Sequence, residues 1–381
     1  MNPRLATLSA AILAFAAIAS VAVAGTNAWT TSGPAISFVQ SLLADPTGES
    51  SVFAGAEGPV LFNLKDDHWE KVADGTGLVF TNLNAIAVDP QDPRRIYVGV
   101  STPRFSPSQM GGLYRSTDGG QTWVLLDVHQ SDPVFSVVVD PLRQATVFAT
   151  ASVCSCAPPY YCHLFGPACS GRIYKSTDAG LTWTRQGNLV DVTALAIDPL
   201  VSTNVYAIAQ GAVVKSVDGG TTWTSMNSGL SNCPLELVVS PANPNVLFVT
   251  TRQSSCTAAV YKSTDGGSSW KPTALTFDRV GYASSIAVDS TNEDILYLAA
   301  VGSIPDQTGA GFFRSTDGGT NWVRFDTGLP DPNVNQVAVD RDGATLHVSI
   351  HGKGVFDYTY SPPLRPRVRA VPRSPTTIPA R

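Results

Sequence analysis

Five aspartates standing outside any regular pattern, Asp74, Asp132, Asp278, Asp306 and Asp331, are the candidates for acid–base chemistry in this chain. Two carboxyls facing each other across a cleft hydrolyse a glycosidic bond: one protonates the leaving oxygen, while the other activates water or attacks the sugar. No two of these five form a distinctive pair in the sequence. Arg104, Phe105, Tyr160, Tyr161, Arg252, Arg279 and Tyr282 fall in the irregular segments 100–112, 150–172, 251–260, 274–284 and 301–311, and are the candidate ligand-binding residues. The chain has no phosphate-binding glycine loop, no Gly-x-Ser-x-Gly elbow and no His-Glu-x-x-His helix, so neither a cofactor nor those enzyme classes is expected.

Six cysteines complete the reactive set. Cys154, Cys156, Cys162 and Cys169 share one insertion, and Cys233 and Cys256 stand apart. In an exported chain this even number predicts three disulfides. Cys233–Cys256 is one expected pair, and three pairings stay open within the insertion. A Cys/His metal site using His163 beside Cys162 is the alternative. The spacing lacks the paired Cys-x-x-Cys form of zinc sites, so no metal is expected.

These residues must be positioned by a repeat. Ser-Thr-Asp-Gly-Gly-Gln-Thr-Trp at 116–123 returns with small changes at 176–183, 216–223, 263–270 and 315–322. Recurrence every 40 to 60 residues marks a module that cannot bury its apolar faces alone. Around each copy, four short β-branched runs separated by Asp-Pro or Asp-Gly turns read as four antiparallel strands. Such sheets repeated head to tail close into a propeller. First strands starting at Ile36, Leu83, Val134, Val192, Pro234, Ser284 and Val334 count seven blades. The first carries a degraded phrase, Asn63 to Trp69. The last has three strands, and the segment around Trp29 is expected to supply the fourth, joining the chain ends in one sheet.

The phrase has a structural explanation. Each Asp (Asp118, Asp178, Asp218, Asp265, Asp317) can accept N–H bonds within its own turn. The glycines allow positive φ, and each Trp (Trp123, Trp183, Trp223, Trp270, Trp322) buries a large ring. One Asp per turn is too few for a calcium loop. Strand order puts these turns on one face of the ring with the turns between first and second strands. The long irregular segments fall on the opposite face, where binding is expected.

Ser-x-Asp-x-Gly-x-Thr-Trp resembles the Asp-box, or bacterial neuraminidase repeat, of sialidases, sortilin, xyloglucanase-type glycosidases and photosystem II stability/assembly factor-like proteins. The resemblance covers residues 27–360 and implies boxes at the propeller rim, away from the ligand. It implies fold far more than chemistry. A sialidase would need three carboxylate-clamping arginines, the first in a Phe/Tyr-Arg-Ile-Pro motif. The first blade strand, Ile36 to Leu43, has no arginine. Xyloglucanase-type enzymes use a cleft between two propellers, whereas a single propeller is expected here. The assembly-factor resemblance implies a non-catalytic role, but the arginine-rich patch of that family is not evident.

The flanks are separate objects. Residues 1–24, apolar after Arg4 and ending Ala22-Val23-Ala24, read as a secretory signal peptide, with an uncleaved anchor as the alternative. Residues 361–381 hold five arginines, six prolines and no acid, and read as a disordered tail. Without these flanks, 19 basic residues stand against 30 acidic ones, a body near −11 that argues against nucleic acid. The expectation is therefore an all-β, monomeric seven-bladed propeller over 25–360, periplasmic or extracellular, with no transmembrane segment after cleavage. It is read as a non-enzymatic binder of a protein or envelope glycan through its loop face. A glycoside hydrolase acting on extracellular glycan is the alternative.

Overall fold

The computed structural model describes residues 27–31, 33–34, 39–47, 52–56, 60–65, 68–72, 82–101, 111–129, 132–155, 168–230, 234–251, 260–275, 281–302 and 310–360. Residues 1–24 and 361–381 lie outside these. So do Arg104, Phe105, Tyr160, Tyr161, Arg252, Arg279, Asp74, Asp278, Asp306, His163, Cys156, Cys162, Cys233 and Cys256. Among the described residues, no helix is long and apolar enough to cross a membrane.

Seven four-stranded antiparallel sheets make up the described chain. Six run in simple chain order, over 39–71, 82–126, 134–185, 192–225, 234–272 and 281–324. The seventh joins the three strands of 334–359 to the N-terminal strand Trp29–Thr31. Trp29 pairs with Tyr358 and Thr31 with Phe356, so the two ends of the chain are knitted in one blade as the sequence predicts. The first strands start at Val39, Asn82 and Gly281 where the sequence suggests Ile36, Leu83 and Ser284. Ile36 itself is outside the described residues, and the other two differ because main-chain pairing continues past the apolar run.

Burial explains the ring. The second strand of most blades is covered on both faces, as in Val52–Ala56, Val205–Ala209, Leu247–Thr251 and Thr345–Ile350. Several fourth strands, such as Thr184–Arg185 and Thr224–Ser225, are exposed. Each apolar cluster lies between two neighbouring blades, and one packs Val39, Leu42 and Val52 of blade 1 against Ala338 and Val355 of blade 7. A blade therefore has no core of its own, and burial is completed only by its neighbours.

The repeated phrases fold as local turns. In the first, Ser116 Oγ donates to Asp118 Oδ1 at 2.7 Å, and Gly120 N donates to Ser116 Oγ at 2.8 Å. Asp118 also accepts from Thr122 N and Oγ1, and Trp123 Nε1 donates to Gly120 O. These hydrogen bonds, led by that from the Thr122 hydroxyl, hold the Asp118 carboxyl down at about 2. Each phrase also bonds to the turn between strands one and two of its own blade, as Ala179 N to Ala145 O and Gly219 N to Thr203 O. Both kinds of turn thus share one face.

Neighbouring blades are fastened there too. The third-strand residue just before the phrase reaches into the next blade's phrase: Arg115 donates to Ala179 O at 2.6 Å, Lys175 to Gly219 O at 2.9 Å and Lys215 to Gly266 O at 3.2 Å. Each cation lies opposite a second-strand aromatic ring, and the Lys175 and Lys215 ammoniums sit 5.1 and 4.9 Å from the Phe148 and Tyr206 ring centres. Desolvation by burial lowers the pKa of both lysines.

Candidate functional site

Each innermost strand starts with the same irregularity. Its pairing with the second strand skips one residue: between Val39 and Ser41, Leu83 and Ala85, Val134 and Ser136, Val192 and Ala194, Pro234 and Glu236, Ala283 and Ser285, and Val334 and Gln336. An extra residue in one strand forms a bulge that redirects its side chain. All seven bulged residues line one cavity of about 900 Å³ on the propeller axis. They stand at the strand ends fed from the previous blade, which is the face carrying the irregular segments.

The ring of bulges is two-sided. Ser284, Asn335, Gln40 and Asn84, from the consecutive blades 6, 7, 1 and 2, form a polar arc, and Phe135 and Leu235 of blades 3 and 5, flanking Thr193 of blade 4, form a more apolar arc. Several polar members stitch neighbouring blades: Asn84 Nδ2 donates to Val134 O at 3.0 Å, Ser284 Oγ to Val334 O at 3.0 Å and Gln40 Nε2 to Asn82 Oδ1 at 2.9 Å. On the apolar arc Phe135 is 46% exposed, and Tyr282, also in the cavity wall, is 39% exposed. Uncovered aromatic rings beside amides and hydroxyls suit a ligand with both apolar faces and hydroxyl edges.

Among the described residues two carboxyls share this wall, Glu236 and Asp191. Glu236 follows the bulge of blade 5, a position held by Ser41, Ala85, Ser136, Ala194, Ser285 and Gln336 in the other blades. Its Oε2 accepts the Ile286 N–H of blade 6 at 2.9 Å. Desolvation outweighs that bond and pushes the carboxyl up to about 8, so it carries a proton near neutrality. Asp191 sits just before the innermost strand of blade 4 at a φ of 53°, and its main-chain N–H donates to Ser170 Oγ. Neither acid is among the five aspartates singled out by sequence. The signal for Glu236 was present: it is an acid inside the apolar run Pro-Leu-Glu-Leu-Val-Val, at a place where other blades carry small or amide residues.

The described members of the sequence-based set divide. Tyr282 reaches the cavity. Asp132 is buried and bonded to His129 Nδ1 at 2.7 Å, and Asp331 accepts Asn333 N at 2.8 Å, so both brace local turns. Cys154 and Cys169 are register partners in adjacent strands of blade 3. Among the described residues, no cluster of three or more His, Cys, Asp or Glu is arranged to hold a metal.

Comparisons agree with this architecture. The BNR/Asp-box repeat model matches residues 114–125, and the sortilin–Vps10 model (sortilin, neurotensin receptor 3) matches 171–303. A xyloglucanase of Hypocrea jecorina is 26% identical over 189 residues, 46% of this chain and 20% of the relative, so the chain spans a fraction of that protein's length. The crystal structure of the Niastella koreensis GH74 enzyme superposes with a TM-score of 0.65 at 20% identity, over 88% of this chain and 53% of that one. YCF48 bound to D1 peptide superposes with a TM-score of 0.61 at 14% identity, over 88% of this chain and 98% of that one. At such identities these structures speak to fold. With five phrases folded as described and seven blades closed by strand exchange between the chain ends, the chain belongs to the Asp-box β-propeller superfamily.

Proposed function

We propose that this chain is an exported, glycan-active propeller working at the bulge-lined end of its axial channel. Glu236 acts as general acid and Asp191 as the second carboxyl of the site. The observation that carries this is Glu236 itself, a carboxyl kept protonated near neutral pH in the wall of a cavity that also presents Phe135, Tyr282 and a polar arc. A sugar ring stacks on the aromatic residues through its C–H face, and its hydroxyls meet the amide and hydroxyl side chains. Glu236 then delivers its proton to the glycosidic oxygen as the C–O bond breaks, and the Asp191 carboxylate activates water or attacks the sugar carbon. The relatives named xyloglucanases support glycans as the first substrates to try. Export rests on the apolar leader with its Ala-x-Ala end.

The test is reducing-end release from a panel of soluble plant and microbial glycans by the mature protein, with Glu236→Gln alongside. The expected outcome is turnover that falls about 100-fold or more in the variant, the usual weight of a general acid. Activity undiminished in Glu236→Gln removes the assigned role. A second reading has its own support, because the likeness to YCF48 bound to D1 peptide spans nearly all of that chain. On that basis the same mouth holds a protein. Inert glycans, together with capture of an envelope protein that is lost in Phe135→Ala, would favour it.

A further inference from the structure

The junction between blades 1 and 2 is built like the fastened junctions but, among the described residues, lacks their fastener. Where Tyr97, Phe148 and Tyr206 oppose Arg115, Lys175 and Lys215, blade 1 opposes Phe53 to Asn63. The phrase glycine that meets the incoming cation elsewhere is Gly119 here. A side-chain carbon built at Gly219 would come within 3.0 Å of the Lys175 ammonium, and one at Gly266 within 3.3 Å of that of Lys215. The same carbon at Gly119 would have nothing within 4 Å. A pocket of about 420 Å³ occupies this place, with Phe53, Asn63 and Gly119 in its wall. Asn63 Oδ1 is buried there without a hydrogen-bond partner, an acceptor that a buried site ordinarily satisfies.

We propose that this pocket binds an alkylammonium or guanidinium group, the side chain of a lysine or arginine brought by another segment. The Phe53 ring offers the cation–π floor seen under Lys175 and Lys215, and Asn63 Oδ1 and the phrase backbone offer acceptors. Among the described wall residues Asp45, Glu70 and Asp118 match Lys65, Lys71 and Arg94 in number, so these carry no excess of positive charge to repel the incomer. The pocket lies on the face of the repeated phrases, away from the axial cavity, and its occupant is independent of any glycan. Two sources fit the chemistry: the arginines of residues 361–381, or a basic segment of a partner protein.

Titration of the mature full-length chain, and of a chain ending at Tyr360, with n-butylammonium and n-butylguanidinium separates them. Saturable binding is expected in the shorter chain, with contacts at Phe53 and Asn63 read by NMR. It should weaken roughly tenfold or more in Asn63→Lys, which returns a cation to the vacant register position. Binding about tenfold stronger in the shorter chain than in the full-length one assigns the seat to the chain's own tail, and equal binding assigns it to a partner. Absence of saturable binding to the shorter chain, or binding unchanged in Asn63→Lys, overturns the proposal. If Asn63→Lys does not fold, Lys215→Ala opens an equivalent seat. Its melting temperature should then rise with n-butylammonium beyond any rise in the wild type, and an equal response in both proteins overturns the proposal.

Discussion

Glu236 and His347 each hold a proton more tightly in the folded chain than in the unfolded one, so their effects on stability have the same sign and different windows. For Glu236 the folded value is about 8 against an ordinary 4.5. Its favourable contribution is complete below about 4.5 and is lost as pH rises to about 8, because the folded state must then give up a bound proton or bury a charge. His347 lies buried in blade 7, with Nδ1 2.7 Å from Asp357 Oδ1 and Nε2 3.2 Å from Asp340 Oδ1. Desolvation pulls its pKa down, but the two carboxylates outweigh it and raise the imidazole above 6.5. Its contribution is therefore complete below pH 6.5 and lost on the alkaline side. Melts across pH 4 to 10 should show Glu236→Gln flattening the fall between about 4.5 and 8, and His347→Gln flattening only the alkaline limb. His347→Gln should also cost about 3 kcal/mol at pH 6, since it leaves the buried Asp357 carboxylate without its cation. A Glu236→Gln profile that parallels the wild type would mean that its carboxyl is not desolvated.

At the scale of the strand and turn, the repeated phrase is legible because it is local. Asp118 and its four counterparts bond to groups within a few residues, and the glycines adopt the left-handed conformations that the turn needs, as at Gly120 with φ of 95°. The fastener is less legible. The Arg or Lys before each phrase reads as an ordinary exposed cation until the next blade is in place. Lys215→Met should lower stability by about 1–2 kcal/mol, the sum of one charge-assisted hydrogen bond and one cation–π contact, measured by urea unfolding. Tyr206→Phe, which removes the hydroxyl bonded to Gly266 O, should cost about 1 kcal/mol. If both variants match the wild type, the junction is held by apolar packing alone.

At the scale of the whole ring, closure depends on a three-residue strand. Trp29 packs against Phe312, Phe325 and Tyr358, with ring centres 5.6, 6.0 and 5.2 Å away, and its Nε1 donates to Phe325 O at 3.2 Å. It does for blade 7 what the phrase tryptophans do for theirs. Trp29→Ala should destabilise the protein by about 3–5 kcal/mol, as loss of a large packed ring does. Thermal melts should show an early transition at blade 7, whose hydrogen exchange should rise before that of blades 3 and 4. Uniform exchange across all blades would show that the ring opens as a unit.

The sequence by itself determined the blade count, the strand order, the closure by the N-terminal strand and the face on which the phrases lie. Each follows from period-two patterning and turn chemistry within one module, and modules in series have one short-connected way to bury their faces. Only the tertiary structure decided which residues meet on the axis and at the blade junctions. Glu236 meets Ile286 across 50 positions, and the cavity wall draws on strands from every blade. Gly119 faces the Phe53–Asn63 seat from the next blade. Such neighbours are contacts between modules, set once the ring closes and the bulge of each innermost strand turns its side chain to the axis, and the pattern within one module does not encode them.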